Sequence, residues 1–319
     1  MDSVASAQNV TTNEFRNNLI FILTVYIPLD FVIICGNAFV LYVIRRTPSL
    51  QEPQFTLLAS LALVDLLTGI IGVPMFMWAC ILRGSLYLQN IDDCELQYIP
   101  MKIFMVTSFL HLLFITTDRY VSILKPLRYG QIVTRTRVYC AIGISWITGC
   151  WYGSVQLFWK SERIDPIFFC YQMNRRGITV QRYTDLVMVP TAVILLIIMY
   201  FRIFREARKF RKCIKTQNTA VAPRKNFKKF KGAKTSAMIV CLFGVAYLPH
   251  SLRIVIFSLG IQRSDIYWYD LMAEMVLSMS SAINPFIYVF RHRQFVSVLN
   301  RLFRRNNNRP IKQEQKCNN

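Results

Sequence analysis

Seven apolar stretches dominate this chain of 319 residues, at roughly 19–44, 55–82, 98–118, 138–159, 185–204, 235–260 and 268–290. Crossing a hydrocarbon core about 30 Å thick takes about 20 residues of helix, and each stretch meets that length. Lys102 and His111 interrupt the third, the weakest of the seven. None carries the alternating period of a membrane-barrel strand. Composition agrees: 54% of residues are hydrophobic and 17% charged, whereas a soluble domain has about 45–50% and about 25%. The expected fold is an all-α membrane protein, a bundle of seven transmembrane helices spanning 19–290.

Lys and Arg number 38 against 17 Asp and Glu, a formal charge of +21. Charge of that size spread over one surface would suit nucleic acid. Here it is confined to alternate connections. Segments 45–54, 119–137, 202–234 and 291–316 hold 2, 5, 13 and 8 basic residues, 28 of the 38. Glu52, Glu206 and Glu314 are the acids among them, with Asp118 at the edge of the second segment. Cytoplasmic loops carry such an excess, so these segments face the cytoplasm and the N-terminal segment 1–18 lies outside. No nucleic-acid partner is expected. From Phe290 to Phe303, apolar residues at helical spacing alternate with basic ones, which reads as an amphipathic helix over 291–305 on anionic inner-leaflet lipid. Residues 306–319 form a cytoplasmic tail.

The first 18 residues are polar and lack the apolar core of a cleavable signal peptide. Asn9-Val-Thr is a glycosylation sequon on the outer side. Cys35, Cys80, Cys140, Cys150 and Cys241 lie in or near apolar spans, where cysteine acts as a small packing residue. Cys213 and Cys317 are cytoplasmic, where disulfides are rare, and Cys317 is either palmitoylated or a plain thiol. Cys94 and Cys170 alone sit outside, and they form the expected disulfide.

An ionisable residue within a span is costly and is a functional hypothesis by default. Asp65 stands in the middle of the second stretch, with Asn37 and Asn284 at similar depth on the first and seventh. Ser108, Ser280 and Ser281 fall near the same level. Two readings stay open: a hydrogen-bond hub joining helices, or a carboxylate among hydroxyls and amides that holds a sodium ion. Asp118-Arg119-Tyr120 ends the third stretch, and Arg119 there either snorkels or serves a partner. The 25 residues from Cys94 to Arg119 make about 37 Å of helix, enough to tie the outer rim to the inner.

Other classes fit poorly. His111, His250 and His292 lie on separate segments with no nucleophile motif or metal spacing, so no enzyme is expected. A transporter or channel would show paired half-repeats, broken helices or rings of charge.

Taken together, the chain resembles a rhodopsin-like (class A) G-protein-coupled receptor over roughly 19–305. The resemblance rests on Gly36-Asn37, Leu61 to Asp65, Cys94 with Asp118-Arg119-Tyr120, Trp146, Tyr200, Phe243 with Pro249, and Asn284-Pro285-Phe286-Ile287-Tyr288. Its cytoplasmic half is similar to adenosine receptors at Pro126 to Tyr129, Val133 to Arg137, Tyr200 to Phe204, Ala233 to Thr235 and Asn284 to Tyr288. The resemblance implies an extracellular ligand, a heterotrimeric G protein as partner, the plasma membrane as location and no cofactor beyond an allosteric sodium ion at Asp65, Ser108, Ser280, Ser281 and Asn284. It also implies that Asp118, Arg119, Tyr120, Tyr200, Phe243, Pro249, Asn284, Pro285 and Tyr288 form the switch and coupling set.

The ligand half departs. Ile254 and Ser251 stand where adenosine receptors hold the purine, Leu277 and Ser278 where they hold ribose, and Gln172 and Met173 replace their aromatic and acidic pair. Losing hydrogen-bonding partners of a polar ligand costs powers of ten in discrimination, so a ligand other than adenosine is expected. Met101 replaces the aspartate that binds amines, and Ser278 replaces the lysine that binds retinal. The expected pocket comprises Met101, Lys102, Met105, Tyr171, Gln172, Tyr247, Ser251, Ile254, Glu274 and Ser278, suited to an amphipathic small molecule or a peptide end. Glu274 is either the counterion of a cationic ligand or the partner of Lys102 or Arg253. Lys229 stands where many relatives carry an acid that locks the helix-three arginine, so elevated basal signalling is expected.

Overall fold

In the computed structural model, the residues described are 16–84 except 18, 98–165 except 126, 170–173, scattered positions from 179 to 208, 245–252, 255, 256, 259, 267–291, 296–298 and 300. The fold is an all-α bundle of seven transmembrane helices. Span one is a continuous helix, Leu19–Arg46. Span two runs Pro53–Leu67, passes through one π-helical segment, Thr68–Gly72, and resumes as Val73–Gly84. Span three is Ile99–Leu124 and span four Arg135–Ser154. Helical residues recur over 179–208 for span five and over 245–256 for span six. Span seven is Tyr267–Arg291, with Pro285 inside it.

Proline starts several of these helices where its missing N–H costs nothing: Pro53 opens span two and Pro100 lies in the first turn of span three. Span four starts at Thr134, whose side chain accepts from the Arg137 amide. Close approach between spans is bought by glycine. A methyl group on Gly36 would lie 3.0 Å from Pro285, so spans one and seven meet closely there. On span four, a Cβ at Gly149 would collide with Thr107 and stand 2.8 Å from the Ile103 carbonyl oxygen.

Two apolar clusters stack along the bundle. The inner one gathers Val40, Val43, Leu57, Leu58, Leu61, Leu112 and Ile115, with Val298 from beyond span seven packed into it. The outer one joins Ile22, Tyr26, Phe76, Tyr98 and Met101. Tyr26 also donates to the Leu271 carbonyl at 2.7 Å, tying span one to span seven.

One element adds to the expected pattern. Strands β1 (Lys160–Asp165) and β2 (Cys170–Met173) form an antiparallel hairpin after span four. Its register pairs Arg163 with Tyr171 and Asp165 with Cys170, and irregularities interrupt it twice. Four-to-six-residue strands of mixed polarity leave little periodicity to read.

Candidate functional site

The polar groups of the bundle fall at three depths. At the middle, Asp65 is fully buried, at 0% exposure. Its Oδ1 accepts from Ser281 at 2.8 Å and from Ser108 at 3.4 Å, and its Oδ2 accepts from Asn284 at 2.8 Å. Three spans therefore converge on one carboxylate, which satisfies the requirement that a buried charge be hydrogen-bonded. Asn37 extends the cluster to span one, its Nδ2 donating to the Ile33 and Ser281 carbonyls at 2.9 and 3.2 Å. Ser280 differs from the expected set: its hydroxyl donates to the Leu277 carbonyl at 2.6 Å, within its own helix.

Outward of this cluster lies a cavity of about 20 Å³. That holds a water or a small ion but not a drug-sized ligand, which needs about 300 Å³. Ser108, Ser280 and Ser281 line its floor, and Met101, Met105, Tyr247 and Ser278 its upper walls. The Ser278 hydroxyl is buried without a hydrogen-bond partner among the described residues. Tyr247 donates to the Met105 carbonyl at 3.2 Å, bridging spans six and three. Ser251 turns into its own helix and donates to the Tyr247 carbonyl at 2.9 Å.

Glu274 is buried at 3% exposure. The structure sets His250 against it, Nδ1 to Oε1 at 3.3 Å, a partner that sequence reading did not name in weighing Lys102 and Arg253. His250 follows Pro249 on a helix whose register toward span seven cannot be counted from sequence alone. Arg253 and Ile254 lie outside the described residues, while Lys102 is half-buried on span three.

At the inner end, Asp118 takes two partners. Arg119 approaches it at 3.6 Å through Nε, and the Tyr129 hydroxyl donates to it at 2.6 Å. Tyr129 sits on a short helix, Tyr129–Ile132, in the loop after span three. Burial and then the neighbouring Asp118 charge raise its hydroxyl above the ordinary tyrosine range, so it stays a donor. Sequence reading quoted Tyr129 only as part of a loop motif; its contact with Asp118 spans 11 residues across a turn and leaves no periodic signal. A second chain of polar contacts was also missed. Trp146 lies 3.5 Å from the Ser60 hydroxyl, which meets His111 Nε2 at 2.7 Å, while His111 Nδ1 lies 2.8 Å from the Thr107 carbonyl. A carbonyl only accepts, so the Nδ1 tautomer donates and Nε2 takes the serine proton. His111, which interrupts the apolar stretch, is thereby a satisfied link among spans two, three and four.

Asp65 under a serine-lined cavity, with an aspartate–arginine–tyrosine group at the inner end of span three, defines a particular architecture. The sequence matches the "7 transmembrane receptor (rhodopsin family)" over residues 36–288. The chain belongs to this family of class A G-protein-coupled receptors. It is thus a receptor and not an enzyme, and a multi-pass membrane protein. It is 25% identical over 286 residues to adenosine receptor A3 of Bos taurus, covering 85% of this chain and 86% of that one. It is 26% identical over 311 residues to human adenosine receptor A2a, covering 88% and 72%. In fold it is similar to squid rhodopsin, with a TM-score of 0.69 at 19% identity over 87% of this chain and 83% of that chain.

Within this receptor architecture, Pro249 and Pro285 stand in spans six and seven, and the Pro249 carbonyl accepts from Tyr269 at 2.7 Å. Tyr120 is half-buried beside Arg119. Tyr171 and Gln172 lie on β2 with Cys170. Asn9, Cys94, Tyr200 and Phe243 lie outside the described residues, as does the side chain of Tyr288. Cys35, Cys140 and Cys150 are free thiols.

Proposed function

We propose that this receptor carries the binding of an extracellular ligand other than adenosine to a heterotrimeric G protein at the plasma membrane, with its N-terminus outside. The observation that carries the reading is the Asp65 cluster, in which donors from spans three and seven share one carboxylate of span two. A cluster of that kind joins the helices that must shift against each other when a ligand biases the population of active packings. Arg119 is the group offered to the G protein, held by Asp118 in the resting form, with Tyr200 and Tyr288 completing the inner contacts. Since Lys229 replaces the acid that would bind Arg119 across to span six, the closed state is weakly locked and basal signalling is elevated. Second-messenger assays in cells expressing the chain test this: signal above mock-transfected cells for at least one G-protein class is expected, and equality for every class refutes it.

Sodium is the proposed allosteric ion. The small cavity above Asp65 and the hydroxyls of Ser108 and Ser281 supply a charged and hydroxylated oxygen set of the kind hard cations take. Their hydroxyls donate to the carboxylate in the ion-free form and would turn their lone pairs toward a bound ion. Sodium should lower agonist affinity, and Asp65→Asn should remove that effect; an unchanged sodium dependence contradicts the site. The remaining parts of the reading are a Cys94–Cys170 disulfide, glycosylation at Asn9 and an amphipathic helix over 291–305 on anionic lipid. A second reading of the ligand, an amine or a peptide end paired with Glu274, is favoured by the burial of that carboxylate in the outer half.

A further inference from the structure

Asp30 is a second acid within the spans, and neither the central cluster nor the inner end uses it. Eleven residues of helix separate it from Leu19 at the outer end of span one, about 16 Å. Sixteen residues, about 24 Å, separate it from Arg46 at the inner end. With a hydrocarbon core about 30 Å thick, the carboxyl lies near mid-membrane. It caps nothing, because the helix runs unbroken through its position. Its Oδ1 is buried and has no hydrogen-bond partner among the described residues. An ionisable group at such depth is costly and ordinarily pairs with another group.

The surroundings place this carboxyl at the edge of the packed surface. A Cβ at Gly69, in the π-helical segment of span two, would stand 3.2 Å from Asp30 Oδ1 and 2.7 Å from Ile34. The acid therefore rests against bare backbone of the neighbouring span, which offers it no side-chain donor. Asp30 as a whole is only half-buried. Ile27 and Phe31 beside it, and Ile70 beside Gly69, are exposed. The seam between spans one and two thus borders lipid here, with an acid set among apolar side chains.

Depth and charge select the occupant. Polar groups of lipids sit at the interface, too far out to reach Asp30. A second copy meeting this seam symmetrically would set Asp30 against Asp30, acceptor to acceptor. A basic side chain carried into the bilayer on a helix meets both conditions. We propose that the Asp30 seam docks a transmembrane helix of another protein that presents a lysine or arginine at mid-membrane depth. Ile27, Phe31 and Ile70 supply the apolar contact, and Asp30 fixes the register of the incoming helix. The pair is neutral overall whichever member holds the shared proton, so docking does not depend on the state of Asp30 beforehand. This association is independent of the ligand and of the G protein.

The test reconstitutes the labelled full chain in phosphatidylcholine vesicles and follows energy transfer to labelled Leu-rich transmembrane peptides of about 20 residues. One peptide carries a lysine at its centre, one carries it at an end, and one has none. The central-lysine peptide should associate about ten-fold more tightly than the other two, the scale of an interhelical polar contact in lipid. Asp30→Leu should bring its association down to the level of the all-Leu peptide. If Asp30→Leu does not fold, Asp30→Asn keeps the shape, and it too should lose most of the preference. Asp30→Asn should also melt no lower than the wild type; a marked fall would make the carboxyl a part of the fold and overturn the proposal. Equal association of the three peptides, or a preference that survives both substitutions, overturns it as well. So does a preference for the end-lysine peptide, which would put the contact at headgroup level. Asp30-dependent self-association of the receptor, with the central-lysine peptide ignored, would make a second copy the occupant and likewise overturn it.

Discussion

The outer and inner parts of the bundle treat their polar groups differently. At Asp65 and Asp118 the carboxylates are engaged by hydroxyl, amide and guanidinium groups of the chain itself. Above them, Ser278 keeps a hydroxyl with no partner among the described residues, and Glu274 lies against an imidazole from another span. A buried polar group without a partner costs stability, and Ser278 carries that cost at the cavity wall. The inner carboxylates are partnered from within the chain, while the outer wall keeps a hydroxyl with no partner among the described residues.

That contrast sets an order of expected effects on the melting of purified receptor. Asp65→Ala strands the donors of Ser108, Ser281 and Asn284 and should cost about 3 kcal/mol or more, with a sharp fall in surface expression. Tyr129→Phe removes a bond to a charged acceptor at a partly exposed site, at about 1–2 kcal/mol, and should raise basal signalling by loosening Asp118. Because the Tyr129 hydroxyl is favoured in its protonated form, that contribution should persist through neutral pH and fade only as pH rises beyond the ordinary tyrosine range. Ser281→Ala should cost about 1 kcal/mol, one neutral-donor bond to Asp65. Ser278→Ala should change stability by no more than about 0.5 kcal/mol, since no partner among the described residues is lost. If Ser278→Ala proved as damaging as Ser281→Ala, the distinction between the two regions would fail.

The two regions were also unequally legible. Asp65, Asn37, Asn284 and Ser281 stood out because a polar residue in an apolar run is conspicuous one letter at a time. Spans one, two and three announced themselves by length and hydropathy. Partnerships between distant residues did not. His250 with Glu274 depends on the rotation of two helices about their axes, and Tyr129 with Asp118 on the path of a loop. His111 looked like a flaw in a span because its partners, Ser60 and Thr107, are an unremarkable serine and a backbone carbonyl. Ser280 and Ser281 are adjacent in sequence yet separate in role, since successive helical residues point about 100° apart. The β1–β2 hairpin is too short and too mixed in character to carry a period.

The reading of the inner part of this chain as a receptor switch rests above all on Arg119. Nucleotide exchange on purified G proteins, measured with ligand-free wild type and with Arg119→Ala in equal folded amounts, tests it most directly. Exchange above the receptor-free rate is expected for the wild type with at least one G-protein class, with a return to that rate for Arg119→Ala. A wild type that leaves exchange unchanged for every class, or an Arg119→Ala variant as active as the wild type, would contradict it.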